Sequence, residues 1–213
     1  MLEIKLLPGS EVEIVGEISV DDFGACRSQA LKELSEKVKI DGFRPGKIPE
    51  KILVENIGEQ EILEKMATIA LQKEYPQIIV SHKIRAIGRP LITITKIAAN
   101  NPLGFKIRTF IMPEIELPDY KKIKILEKIV EATKMDIPKI LIDAENGDTK
   151  RVKYGLVLNE IAEREKIEVS EEELNKETEK TMELYKNLDK EQVKMYTYGI
   201  IRNKKVFKLL ESC

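Results

Sequence analysis

The stretch GFRPGKIPE, residues 42–50, sets an aromatic ring, a guanidinium and an ammonium among two prolines and two glycines. Pro45-Gly46 suits the central positions of a type II turn, with Arg44 before it and Lys47 after. Pro brings a φ that is already fixed, and Gly accepts a positive one. Gly42 and Pro49 flank the turn, so its tip is stiff and has little ordering entropy left to lose on binding. Arg44 can grip a carboxylate or phosphate with two parallel hydrogen bonds, while Phe43 can fill a small apolar pocket. Lys47 beside the tip, and Lys39 and Lys51 on the stems, add positive charge. This combination fits a ribonucleoprotein surface, where phosphates and protein acids lie together. A second reading stays open on these residues alone, in which Phe43 folds back as an anchor and the loop only connects.

Other chemistry finds little support. The single histidine, His82, has no cysteine or acidic cluster near it and reads as a surface or capping residue, so no metal site is expected. No Gly-rich phosphate loop occurs, since the segment starting at Gly46 is GKIP rather than GK[ST], and no GxGxxG is present. Serine and cysteine lack the neighbours that activate a nucleophile. Asp21-Asp22 sits where a helix start favours negative charge. No enzyme activity and no cofactor are therefore expected. Cys26 and Cys213 are too far apart in sequence to suggest a disulfide framework.

With 36 Lys/Arg against 37 Asp/Glu, net charge −1, any nucleic-acid contact must be a local patch rather than a global field. The first 18 residues carry acids and alternate, unlike a signal peptide. No apolar run approaches the ~20 residues that span a bilayer. The expected location is the cytoplasm, without membrane contact.

These residues must be positioned by elements that the pattern makes legible. Alternating Leu2-Ile4-Leu6, the turn Pro8-Gly9-Ser10 and the run Val12–Ile18 predict a hairpin. Ser19 can cap a helix whose apolar face is Phe23, Cys26, Ala30, Leu34 and Val38. After the loop, Pro49 suits the first turn of a short helix through Ile57, closed by Gly58. A longer helix follows, with Ile62, Met66, Ile69, Ala70 and Ile78 on its buried side. Strands at Leu91–Ile97 and Gly104–Met112 flank an Asn100-Asn101-Pro102 turn. Pro113–Pro118 reads as an extended exit segment. Beyond Leu126 helices dominate, near Thr149–Glu165, Glu171–Lys186 and Lys190–Glu211. Ser170 with Glu173, and Asp189 with Gln192, are paired as N-caps, with Val169/Leu174 and Leu188/Val193 as staples. The expected fold is an α+β domain over residues 1–120, followed by an all-α domain over 121–213.

The stretch KVKIDGFRPGKIPEKIL strongly resembles the signature of trigger factor, the bacterial ribosome-associated chaperone family. The family motif G-F-R-x-G-K-x-P is matched by Gly42, Phe43, Arg44, Gly46, Lys47 and Pro49. Similarity continues through Gly58, Ile84–Ile92 and the PEIELP segment ending at Pro118, in order over residues 1–120. Many members carry Lys where this chain has Pro45, so the tip is stiffer and less charged. Two later pieces, LEKIVEATKMDIPKILIDAE and KRVKYGLVLNEIAEREKIEVSEEEL, resemble parts of the family's helical C-terminal domain. Only Asn146-Gly147-Asp148-Thr149 stands between them, in place of a long helical stretch. Nothing is inserted between residues 120 and 126, where the family carries an FKBP-like prolyl isomerase domain.

The resemblance implies an ATP-independent holdase. Phe43, Arg44, Pro45, Gly46 and Lys47 would dock on protein and rRNA of the large ribosomal subunit near the peptide exit. The helical domain would shield nascent or unfolded chains, and a homodimer when free is left open. Met182, Tyr185, Met195, Tyr196 and Tyr198 are candidate client contacts, as soft or amphipathic side chains adapt to varied partners. Taken singly, each is better read as ordinary helix packing. Rival readings are a ribosome-associated assembly or hibernation factor without client binding, an isomerase-chaperone lacking its catalytic domain, and a plain RNA-binding domain. The last is disfavoured by near-zero charge and the lack of aromatic runs.

Overall fold

Alternation in the opening residues yields the expected hairpin, β1 (Leu2–Leu7) and β2 (Glu11–Ile18), in a computed structural model that describes residues 2–184 and 189–212. Ser19 then caps α1 (Val20–Ala25): its Oγ accepts from the Asp22 N–H at 3.1 Å and donates to the Asp22 carboxylate at 2.6 Å. The single helix expected here breaks at Cys26, and α2 (Arg27–Lys37) continues as a second segment. Phe23, Cys26, Ala30 and Leu34 are all buried, so the apolar face survives the break.

Pro49 stands one position earlier than expected, as the N-cap of α3 (Glu50–Ile57), and Gly58 at φ +83° separates it from α4 (Glu59–Ser81). The last strands are β3 (Ala86–Lys96) and β4 (Leu103–Ile111). β3 begins five residues before the expected Leu91, running through Gly88 and Pro90. A register shift between Ile87 and Leu91, with Gly88 at φ +73°, absorbs the irregularity. The strand order β1-β2-β4-β3 leaves β3 at an edge, where a missing proline N–H costs no ladder bond.

All pairings are antiparallel. One sheet face carries Val12, Ile14, Ile18, Leu103, Phe105 and Ile107, which join α1–α4 residues such as Phe23, Leu53, Ile62 and Met66 in a single core. The expected α+β class is what this unit shows.

The chain divides into two units between Met112 and Pro113, not after residue 120. The exit segment is held by the second unit: the Glu116 N–H donates to the Lys134 carbonyl at 3.1 Å, and Leu117 packs beside buried Tyr120. Short helices α5 (Tyr120–Ile123), α6 (Leu126–Ala132) and α7 (Lys139–Ala144) lead into α8 (Thr149–Arg164), α9 (Glu171–Leu184) and α10 (Lys190–Ser212). After α7 the tight turn is a helix stop, with Asn146 at φ 53° and the Gly147 N–H donating to the Ile142 carbonyl at 2.9 Å. The paired caps form as expected: Glu173 N–H to Ser170 Oγ at 3.3 Å, and Gln192 N–H to Asp189 Oδ1 at 3.0 Å. Tyr185–Leu188 and Cys213, and so the ends expected at Lys186 and the Leu188 staple, lie outside the described residues.

Along α10 the buried face changes. Val193, Thr197 and Ile201 are buried in its first half, where it packs on α9; Val206 and Leu210 are buried in its second half, within the Tyr120–Ile129–Ile161 core. No helix among the described residues is long and apolar enough to cross a membrane. Also among the described residues, no cluster of His, Cys, Asp or Glu could hold a metal ion.

Candidate functional site

The loop between α2 and α3 is two consecutive turns, each built on a glycine at positive φ. In the first, the Phe43 N–H donates to the Ile40 carbonyl at 3.1 Å, with Gly42 at φ +83°. In the second, the Lys47 N–H donates to the Arg44 carbonyl at 3.0 Å, with Gly46 at φ +79°, the type II geometry expected of Pro45-Gly46. The Gly46 N–H also donates to the Ser35 carbonyl at 2.8 Å, tying the tip to α2. Ile48 is buried in the core and half-buried Val38 and Ile40 pack against it, so both stems are nailed down on either side of the tip.

What remains outside is the set named from sequence. Phe43 is 39% exposed, and Arg44, Pro45, Gly46 and Lys47 are all exposed. Neither Arg44 nor Lys47 enters an ion pair with any described residue. Five cations and two acids fall between Lys37 and Lys51, and one of those acids, Glu50, is engaged elsewhere, with Arg27. The ring is thus displayed beside free positive charge, and the anchor is Ile48 rather than Phe43.

Arg27 is a structural support near the loop that sequence reasoning missed. From the first position of α2 its Nε donates to Glu50 at 3.0 Å, and its Nη1 and Nη2 donate to the two Glu59 oxygens at 2.5 and 3.1 Å. One guanidinium therefore joins the starts of α2, α3 and α4. The Arg27 hydrogen bonds hold the Glu59 carboxyl below the usual carboxylate range, and Glu59 raises the already high Arg27 value in return. The partners lie 23 and 32 residues away in sequence, so no local pattern announces them.

The candidate client residues are scattered. Met182 is half-buried near the end of α9, and Tyr185 lies outside the described residues. Met195, Tyr196 and Tyr198 are exposed at 71%, 69% and 38% on the first half of α10. Two further exposed side chains on α10, Ile200 and Phe207, were not singled out from sequence. Tyr196, Ile200 and Phe207 stand at spacings of four and seven, which aligns them on one helix face. That face spacing was legible in the sequence; which face lacks a partner was not.

A family model described as the bacterial trigger factor protein matches residues 1–143, and one for the C-terminus of that protein matches residues 147–210. The chain belongs to the bacterial trigger factor family. The trigger factor of Rhodococcus opacus is 33% identical over 130 residues, covering 61% of this chain and 28% of that protein. The trigger factor of Mycolicibacterium smegmatis is 32% identical over 155 residues, covering 72% of this chain and 33% of its own length. The chain thus spans a third or less of the curated trigger factors it matches.

A solved structure of the trigger factor chaperone, from work on promiscuous substrate recognition in its folding and assembly activities, has a TM-score of 0.72 and covers 98% of both chains. At 13% identity this likeness speaks for the trigger factor fold alone. Where the family resemblance implies an isomerase insertion, the chain passes from α5 to α6 through Lys124 and Ile125.

Proposed function

We propose that this chain is an ATP-independent chaperone module that docks at the peptide exit of the large ribosomal subunit and shields emerging polypeptide. The observation that carries this reading is the loop tip: an exposed Phe43 beside unpaired Arg44 and Lys47, braced by two glycine turns and the buried Ile48. A preorganised knob of this kind loses little entropy on binding. Its cations suit rRNA phosphate and acidic side chains, while its ring suits one apolar notch. The exposed apolar row of α10 suits weak, dispersed contact with unfolded chains, which must be held against aggregation and later released.

The reading of nucleotide independence is supported by the lack of a GK[ST] or GxGxxG loop that would hold nucleotide phosphates. No catalytic role is assigned to this chain, and a proline-limited refolding assay should show no acceleration. The setting for all of this is the cytoplasm, where ribosomes and nascent chains meet.

Co-sedimentation with large ribosomal subunits tests the reading. The Phe43→Ala, Arg44→Ala double variant should lose binding while its stability changes by less than about 0.5 kcal/mol, as is usual for surface changes. Retained binding would refute docking through this loop. Client shielding is tested separately, by suppression of aggregation of a denatured protein, and no protection at stoichiometric excess would remove that half of the proposal.

A further inference from the structure

Beside the apolar row of α10 lies a groove of about 270 Å³ between α9 and α10, with the Ile201 side chain at its base. Its walls carry Lys176 and Lys180 from α9, and Lys204, Lys205 and Lys208 from α10, against only Glu173 and Glu177. Both carboxylates are taken: Glu173 by Lys205 at 2.6 Å and Glu177 by Lys180 at 3.1 Å. Lys176, Lys204 and Lys208 have no acidic partner among the described residues. Lys176 and Lys180, and likewise Lys204 and Lys208, are four apart on their helices, a like-charge spacing that weakens a helix rather than supporting it. This concentration occurs in a half of the chain that is otherwise acidic, with 17 Lys/Arg against 19 Asp/Glu over residues 126–213. Helix stability does not account for the lysines; a ligand of opposite charge would.

The neighbouring row says which anion. On a helix, Lys204 follows Ile200 by one turn and Lys208 adjoins Phe207, so ammonium groups and apolar side chains run along α10 side by side. The row from Tyr196 to Phe207 extends about 16 Å at 1.5 Å per residue, the span of about five residues of extended chain. An extended polypeptide turns alternate side chains to opposite sides, so one such segment can lay apolar groups on the row and carboxylates toward the groove.

We propose that the α9–α10 surface binds unfolded segments in which acidic residues accompany apolar ones, and prefers them to neutral or basic segments of equal apolar content. This rests on the client-shielding reading and adds to it a charge preference that the reading itself does not require. The exposed ion pairs involved are screened by salt, so the preference fades as ionic strength rises while the apolar contribution persists.

The test uses the chain as it stands and fluorescence anisotropy with short unstructured peptides. Their Leu and Phe positions are kept the same, and Glu, Gln or Lys occupies the positions between. The Glu peptide should bind about fivefold more tightly than the Gln peptide, and the Lys peptide more weakly than either. The Lys176→Glu, Lys204→Glu, Lys208→Glu variant should invert that order. All three side chains are exposed, and an unchanged thermal melt confirms that the variant folds. Equal binding of the Glu and Gln peptides, or an unchanged order in the variant, overturns the charge preference and leaves client shielding standing. Failure of every peptide to bind overturns both. Tighter binding of a single-stranded RNA oligomer than of the Glu peptide, lost in the same variant, would reassign the groove to nucleic acid and overturn the proposal.

Discussion

Phe43 and Phe207 show similar fractions of their surface to water, 39% and 43%, but they reach that exposure by opposite routes. Phe43 stands on an irregular loop whose every bend is specified: two glycines at positive φ, a backbone bond to α2, a buried isoleucine behind it. Phe207 stands on the outward side of a regular helix, aligned with Tyr196 and Ile200. The first arrangement presents one ring in one place, as a fixed partner demands. The second offers a row of interchangeable contacts, as a changing partner demands. Removing a support should therefore be costly in the first region, and removing any one ring should be nearly silent in the second.

The largest expected effect is on the brace. Ile48→Ala removes buried volume from the core behind the tip and should cost about 2–4 kcal/mol in chemical denaturation, within the range for such truncations. A cost under 1 kcal/mol would mean that the tip is not held from behind. Next is the turn itself: Gly46→Ala places a Cβ at φ +79° and should destabilise by about 1–2 kcal/mol while weakening ribosome co-sedimentation. Unaltered docking would show that the fixed pose of Phe43 does not matter.

The Arg27 clamp comes third, and it has a pH signature. Glu59 has a lowered folded-state pKa, so its stabilisation is complete above the unfolded-state value near 4.5 and is lost as pH falls through the folded value. Both partners are about a third or more exposed, at 34% and 40%, which limits the contribution to under about 1 kcal/mol. Arg27→Met should lower stability at neutral pH by that amount and converge with the parent in acid. Parallel curves at all pH values would exclude the carboxylate as the cause.

Smaller still, Pro45→Lys should leave the fold within about 0.5 kcal/mol and steepen the salt dependence of ribosome binding, because it adds a charge at the tip. An unchanged slope would place position 45 outside the contact. Smallest is Tyr196→Ser alone, with no more than about 0.5 kcal/mol on stability and little change in client protection. A large loss of protection from that one change would make the helical face as specific as the loop and erase the contrast.

Much of this was readable in the chain because its causes are local. Ser19, Ser170 and Asp189 cap helices through bonds three residues long, and Pro45-Gly46 dictates its own turn. What escaped depends on distant partners. Cys26 interrupts a continuous apolar periodicity that gave no sign of a break. Pro90 argues against a strand until β3 proves to be an edge. The exit segment is assigned to the second unit by Lys134 and by the packing of Leu117, not by any feature of PEIELP itself. Likewise Arg27, Ile48 and the unpaired lysines of the α9–α10 groove acquire meaning only when the neighbours are in place.

The change of buried face along α10 has a dynamic consequence. Its distal half is buried in the main helical core, whereas α9 and the first turns of α10 contribute no residue to that core. In hydrogen exchange those two stretches should release their amide protons as one early cooperative unit, ahead of α8. Late exchange at Val206 and Leu210 beside early exchange at Val193 would mark a root that stays folded while the rest of the helical hairpin loosens.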